Sequence, residues 1–118
     1  MNMNLEAIQP YLLPLGVAAY LLFRHFRFKL ARKTLPALAA QGAVFVDVRT
    51  PAEFAAGNRP GNVNIPLDEL ARQAGRLDKT KPVVLSCASG ARSGMAAVML
   101  KGMGFRQVTN AGPWQNTL

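Results

Sequence analysis

The stretch that decides the fold is VVLSCASGARS, residues Val83 to Ser93. Its first half is an apolar run typical of a strand buried on both faces, and its second half is a short polar loop. A helical pattern follows from Arg92 to Met103. The single cysteine of the chain, Cys87, is therefore predicted to lie where a strand ends and a helix is about to begin.

A thiol in this position is expected to ionise readily. The helix dipole and the unpaired N–H groups at the amino end of a helix favour an anion, and the thiolate is the nucleophilic form of cysteine. A lone intracellular cysteine is also commonly a small buried hydrophobe, so its residue type alone does not identify a nucleophile. The six residues from Cys87 to Arg92 include Gly90 and can curl into a nest of backbone N–H groups, which favours a catalytic Cys87.

The side chains of the loop leave two alternatives open. Ser89 and Ser93 can donate hydrogen bonds to the sulfur, and Ser93 can equally cap the following helix. Arg92 either adds a cation at the rim of the nest or packs behind the loop as a brace.

The length of the loop separates two cysteine chemistries. Attack on phosphorus needs a loop that cradles three phosphoryl oxygens, with five residues between cysteine and arginine. Four residues separate Cys87 from Arg92, and no general acid for an alcohol leaving group lies near. The loop length favours attack on a sulfane sulfur over a phosphatase or arsenate reductase reaction.

Working outward, the rest of the domain alternates strands and helices. This pattern predicts an α/β fold with a mainly parallel sheet. The predicted elements are a short helix at 35–41 ended by Gly42, a strand at 43–48, a helix at 51–56 capped by Thr50, an extended piece at 63–66, a helix at 67–74 ended by Gly75, a brief strand at 107–109, and a closing turn at Gly112-Pro113.

Ligands of such sheets bind outside the carboxyl ends of the strands. The first strand ends in Asp47-x-Arg49, so Arg49 is expected at the same edge as Cys87 and is a candidate substrate-binding residue. The topology does not establish that the two touch. A structural role is the stronger interpretation of Asp47, Arg49 and Glu53, because an Arg–carboxylate pair at a strand end can lock the following helix.

The segment Leu5 to Phe23 predicts a membrane anchor. It is uncharged from Tyr11 onward, and nineteen helical residues span roughly 28 Å, close to the ~30 Å hydrocarbon core of a bilayer. A cleaved signal peptide is not favoured, because no positive charge precedes the run and no small-x-small site follows it. An amphipathic helix lying on the membrane surface or on a partner is the alternative.

Cations follow the apolar run directly. The formal net charge is +8, and five cations lie within ten residues with no acid among them: Arg24, Arg27, Lys29, Arg32 and Lys33. Cations on this side of a span place it in the cytoplasm, so we predict a single-pass inner (cytoplasmic) membrane protein in contact with membrane lipid. We expect no nucleic-acid partner, because a nucleic-acid patch would leave the neighbouring apolar run unexplained. The expected domains are a membrane anchor with its basic segment at 1–33 and a catalytic domain at 34–118.

One cysteine and one histidine exclude an internal disulfide and an ordinary zinc site within the chain. A single unpaired thiol fits a reducing compartment. We expect no metal and no organic cofactor.

The chain resembles the rhodanese-like sulfurtransferases. The resemblance covers about Leu35 to Trp114 and rests on FVDVRTPAEFAAGNRPGNVNIPLDEL (Phe45 to Leu70), on VVLSCASGARS, and on Ala111-Gly112-Pro113-Trp114. The Asp-x-Arg-x-x-x-Glu piece and the Cys-x-x-Gly-x-Arg-Ser loop are specific in combination.

This resemblance implies a rhodanese-like three-layer fold and transfer of sulfur through a Cys87 persulfide. Thiosulfate-type compounds would be the donors, and cyanide, small thiols or a thiol protein the acceptors. The residues expected to bind substrate are Ala88, Ser89, Gly90, Ala91, Arg92 and Ser93, with Arg49 beside them. The alternative is a catalytically idle rhodanese module that serves as a membrane-bound adaptor or sulfur-relay docking domain.

Overall fold

The computed structural model describes residues 4–118. Four helices and four strands follow one another along the chain. The helices are α1 (Leu5–Ala40), α2 (Pro51–Ala56), α3 (Leu67–Gln73) and α4 (Ala91–Gly102), and the strands are β1 (Val44–Asp47), β2 (Val63–Asn64), β3 (Val83–Cys87) and β4 (Val108–Pro113). Short 3-10 turns occupy Ala74–Arg76 and Trp114–Thr117.

The four strands form one parallel sheet in the order β2-β1-β3-β4. The strands β1 and β3 occupy the centre and are almost wholly buried, as their continuous apolar sequences require. This arrangement confirms the predicted α/β fold with a parallel sheet flanked by helices.

The two faces of the sheet carry separate apolar clusters. One cluster joins the sheet to α3 and α4 through Leu70, Leu85 and Leu100. The other joins it to the end of α1, where Leu35 and Leu38 pack against Phe45 and Val84. The domain therefore has the three layers of helix, sheet and helix that we expected.

The helix α1 runs without a break through the predicted boundary at Thr34. The Thr34 hydroxyl donates to the Ala31 carbonyl, and the helix continues past Pro36 because Leu35 and Leu38 bury its last turns against the sheet. The expectation of a separate short helix from Leu35 to Gln41 was wrong. The single helix α1 contains the apolar segment in its first half and packs against the sheet with its last turns.

The last strand is longer than the sequence pattern predicted. The strand β4 extends to Pro113, so the predicted turn at Gly112-Pro113 is wrong. Its polar residues show no apolar alternation, and the pairing is imposed by the buried neighbour β3. A register shift between Leu85 and Ser86, together with the left-handed Gly112 at a φ of 83°, lets the strand bend around the Cys87 loop. The helical turn expected to end at Gly75 likewise continues to Arg76.

Candidate functional site: the Cys87 loop

The Cys87 thiol lies at the carboxyl end of β3 and is fully buried. Three donors point at its sulfur. The Gly90 N–H lies 2.9 Å from Sγ, the Ser93 N–H 3.4 Å, and the Ser93 hydroxyl 3.3 Å. Gly90 adopts a φ of 99°, a left-handed conformation that strongly favours glycine, and this turn brings the start of α4 over the sulfur.

These hydrogen-bond donors lower the pKa of the Cys87 thiol. Burial acts to raise the pKa of Cys87, but hydrogen bonds from the Ser93 hydroxyl and from the N–H groups of Ser93, Gly90 and Ser89 outweigh it. The pKa therefore lies below the ordinary value of a cysteine. The loop can hold a negatively charged sulfur at its centre, which is what a nucleophilic thiolate requires.

The Ser93 hydroxyl contacts the sulfur and does not cap α4. The capping position of α4 is held by Gly90, which has no side chain to accept a hydrogen bond from the first turn of the helix. The Ser93 hydroxyl also donates to Oδ1 of Asn110 at 2.7 Å, so its single hydrogen is shared between that oxygen and Sγ. The Asn110 amide in turn accepts from the Gly112 N–H at 2.9 Å and donates to the Gly90 carbonyl at 3.1 Å. Asn110 thus holds the loop to β4.

Sequence reasoning missed Asn110. The predicted third strand stopped at Thr109, so this residue fell in an unassigned connection. The sequence feature that could have identified Asn110 is an amide side chain two residues before a glycine, Gly112, near the carboxyl end of the last strand. Recognising that signal required knowing that β4 pairs with β3 as far as Cys87.

Of its two predicted roles, Arg92 takes that of a brace behind the Cys87 loop. Its guanidinium binds both carboxylate oxygens of Glu53 at 2.7 and 2.9 Å. Glu53 also closes a capping box with Thr50 at the start of α2. The Arg92 hydrogen bonds and the Thr50 backbone N–H hold the pKa of Glu53 at about 2. The ion pair therefore ties the first turn of α4 to α2.

Arg49 is buried and makes a dense set of contacts behind the sheet edge. Its guanidinium binds the Asp47 carboxylate at 2.8 Å and donates to the carbonyls of Glu53 and Gly57. The Trp114 ring lies against it, 4.9 Å from Cζ to the ring centroid. These contacts suit the structural role, and contact of Arg49 with a substrate stays a prediction.

The loop side chains of Ala88, Ser89 and Ala91 are exposed, whereas Gly90 is buried. What covers Gly90 is Phe28, from the segment that the sequence assigned to the membrane anchor. The Phe28 ring lies over both Gly90 and Gly112, and Arg24 donates a hydrogen bond to the Ser89 carbonyl. No cluster of three or more His, Cys, Asp or Glu side chains suited to a metal occurs within residues 4–118.

Comparison with known proteins agrees with this geometry. The family model described as "Rhodanese-like domain" matches residues 31–111. The chain belongs to the rhodanese-like domain family. Its match begins on α1 and ends within β4, and it includes the complete Cys87 loop.

Two curated relatives carry names that refer to sulfur. The thiosulfate sulfurtransferase PspE of Escherichia coli is 36% identical over 81 residues, which cover 67% of this chain and 76% of PspE. The putative sulfur carrier protein YrkF of Bacillus subtilis is 40% identical over 68 residues, which cover 58% of this chain and 37% of YrkF. The chain spans between half and two thirds of the length of two further curated relatives.

The solved structure of the human single-domain sulfurtransferase TSTD1 superimposes with a TM-score of 0.62 at 30% identity. The alignment covers 71% of this chain and 88% of that structure. This chain therefore has the rhodanese fold.

Proposed function

We propose that this rhodanese-like protein is a sulfurtransferase that carries sulfur as a persulfide on Cys87. The observation that carries the proposal is the ring of donors around Sγ, formed by the N–H groups of Gly90 and Ser93 and by the Ser93 hydroxyl. A nest of this size fits a charged sulfur, and the thiosulfate sulfurtransferase PspE is a relative over two thirds of the chain.

The reaction proceeds in two displacements. The Cys87 thiolate attacks the outer sulfur of thiosulfate, the sulfur–sulfur bond of the donor breaks, and sulfite leaves with the bonding electron pair. The product is a Cys87 persulfide whose terminal sulfur is negatively charged. An acceptor thiolate or cyanide then attacks that terminal sulfur, giving a new persulfide or thiocyanate, and the Cys87 thiolate returns.

The residues of the loop have distinct tasks in this scheme. The loop N–H groups from Ser89 to Ser93 hold the anionic donor and the persulfide, acting as preorganised donors aimed at developing charge. Arg92 stays on Glu53 and fixes the first turn of α4. Asn110 fixes the Ser93 hydroxyl and the Gly90 carbonyl.

Intact-protein mass spectrometry after treatment with thiosulfate tests this proposal. We expect wild-type protein to gain the mass of one sulfur atom, to lose it on addition of cyanide or a thiol, and to show no gain as Cys87→Ala. The matched control is Ser89→Ala, which alters a loop side chain but keeps every backbone donor. Absence of an adduct with thiosulfate and with other sulfane donors would favour the adaptor or docking alternative.

We also propose that α1 crosses the inner membrane, with the rhodanese domain in the cytoplasm. Support comes from the exposed apolar side chains of its first half, among them Leu13, Leu15 and Phe23, and from an apolar window that is long enough to span a bilayer and buries no residue inside the protein. Detergent is expected to extract the full chain, and carbonate or salt is not. Extraction by carbonate alone would refute the span.

A further inference from the structure

We propose that a basic cleft between α1 and the last turn of the domain binds the phosphate of an anionic phospholipid headgroup. The cleft has a volume of about 520 Å³ and is lined by Arg24, His25, Lys29 and Arg32 of α1 and by Gln115 and Asn116 of the 3-10 turn. The inference rests on the proposed membrane span and goes beyond sulfur transfer, because the cleft takes no part in the reaction at Cys87.

The charge of the cleft points to an anion. Three arginine and lysine side chains line it, and no carboxylate does. Within residues 4–118, the ion pairs are Arg49–Asp47, Arg72–Glu69 and Arg92–Glu53, and none involves α1. The single acid of α1, Glu6, precedes Arg24 by eighteen residues, or roughly 27 Å along the helix. The cations of the cleft therefore lack a carboxylate counterion.

The position of the cleft selects a lipid headgroup as the source of that anion. Arg24 directly follows Phe23, the last residue of the uncharged segment, and Arg32 lies roughly 12 Å further along the helix. If the segment before Arg24 lies in the hydrocarbon core, this stretch spans the headgroup layer. Guanidinium and ammonium groups at that depth are attracted to the phosphates of anionic lipids.

The cleft also adjoins the Cys87 loop, through Arg24 and through Phe28, which lines the cleft and lies over Gly90. Arg24 lines the cleft and donates to the Ser89 carbonyl. Its guanidinium lies over the Phe28 ring, 5.3 Å from Cζ to the centroid. A phosphate in the cleft would thus contact the guanidinium that holds the loop, which places the sulfur site next to the membrane surface.

Native mass spectrometry of the full chain in a neutral detergent, titrated with phosphatidylglycerol, tests the proposal. The double variant K29Q/R32Q removes two cations that line the cleft. Its matched control, R27Q/K33Q, removes one arginine and one lysine from the same helix, and neither of these residues lines the cleft. We expect a saturable first lipid adduct that the cleft variant weakens by roughly 25-fold, at about fivefold per cation. The control is expected to weaken it far less.

Each remaining outcome bears on the inference separately. Equal weakening by both double variants would indicate diffuse attraction along α1 and would overturn the site. Phosphatidylcholine binding as tightly as phosphatidylglycerol would overturn an anionic ligand. Displacement of the lipid by millimolar inorganic phosphate would assign the cleft to a free anion. Thiosulfate labelling and carbonate extraction of the same preparation report on the sulfurtransferase and on the span independently of these results.

Discussion

The Phe28 ring on α1 lies so close to Gly90 of the Cys87 loop that no side chain fits between them. A Cβ atom on Gly90 would come within 2.6 Å of Cζ of Phe28, and one on Gly112 would come within 2.7 Å of Cγ. Phe28 therefore joins the proposed membrane helix to the Cys87 loop at Gly90 and to β4 at Gly112. The Asn116 amide adds a hydrogen bond to the Phe28 carbonyl at 2.9 Å.

Truncation of Phe28 is expected to loosen both the fold and the loop. Phe28 is 8% exposed, and loss of a buried phenyl ring costs about 3 kcal/mol of stability. We predict that Phe28→Ala lowers the thermal midpoint of the full chain in detergent and speeds alkylation of Cys87 by iodoacetamide, because the loop loses its cover. Phe26→Ala is the control, since Phe26 is 55% exposed on the same helix. Equal effects of the two variants would show that the Phe28 contact does not hold the loop.

Removal of the Ser93 hydroxyl is expected to raise the pKa of Cys87. This hydroxyl stabilises the thiolate against the opposing effect of burial. We predict that Ser93→Ala moves the midpoint of the pH dependence of Cys87 alkylation to higher pH and slows alkylation at neutral pH on the order of five- to tenfold.

The matched control for this change is Ser89→Ala. The Ser89 side chain is exposed, and the Ser89 contribution to the pKa of Cys87 comes from its backbone N–H, which alanine keeps. The Ser89 variant should therefore titrate like wild type. A Ser93 variant that also titrates like wild type would show that the backbone N–H groups alone stabilise the thiolate.

The strongest local signals of the sequence predicted the centre of the fold. The apolar run before Cys87 is a buried strand and Thr50 caps the start of α2, both as expected. Glu53 completes a capping box with Thr50. Both features depend on residues adjacent in sequence, through strand burial in one case and a capping box in the other. The parallel arrangement followed from the alternation of elements.

Contacts between distant residues could not be predicted in the same way. Phe28 reads as part of a membrane-exit segment, and only the unbroken course of α1 brings it to Gly90. Asn110 reads as a loop residue, and only the pairing of β4 with β3 brings it to Ser93. The sequence allowed Arg92 to lie either at the rim of the nest or behind the loop as a brace. The ion pair with Glu53 selects the bracing role, and it could not be predicted because the two residues are far apart in the sequence.

That ion pair predicts a specific response to acid. Hydrogen bonds from Arg92 and Thr50 lower the pKa of Glu53 from an ordinary 4.5 to about 2. A carboxyl group with a depressed pKa in the folded state contributes stability above its unfolded pKa and loses it as the pH falls through its folded pKa. The Glu53 contribution is therefore complete above about pH 4.5 and disappears towards pH 2.

Thermal unfolding measured from pH 6 to pH 2 checks this expectation. In the variant Glu53→Gln the amide does not titrate, so its thermal midpoint should lie below that of wild type at pH 6 and should fall less steeply between pH 4.5 and pH 2. Glu69→Gln serves as the control because Glu69 pairs with an exposed Arg72 outside the loop, at a longer distance of 3.3 Å. If Glu53→Gln and wild type lose stability in parallel over this range, Arg92 does not brace the loop through a charged Glu53.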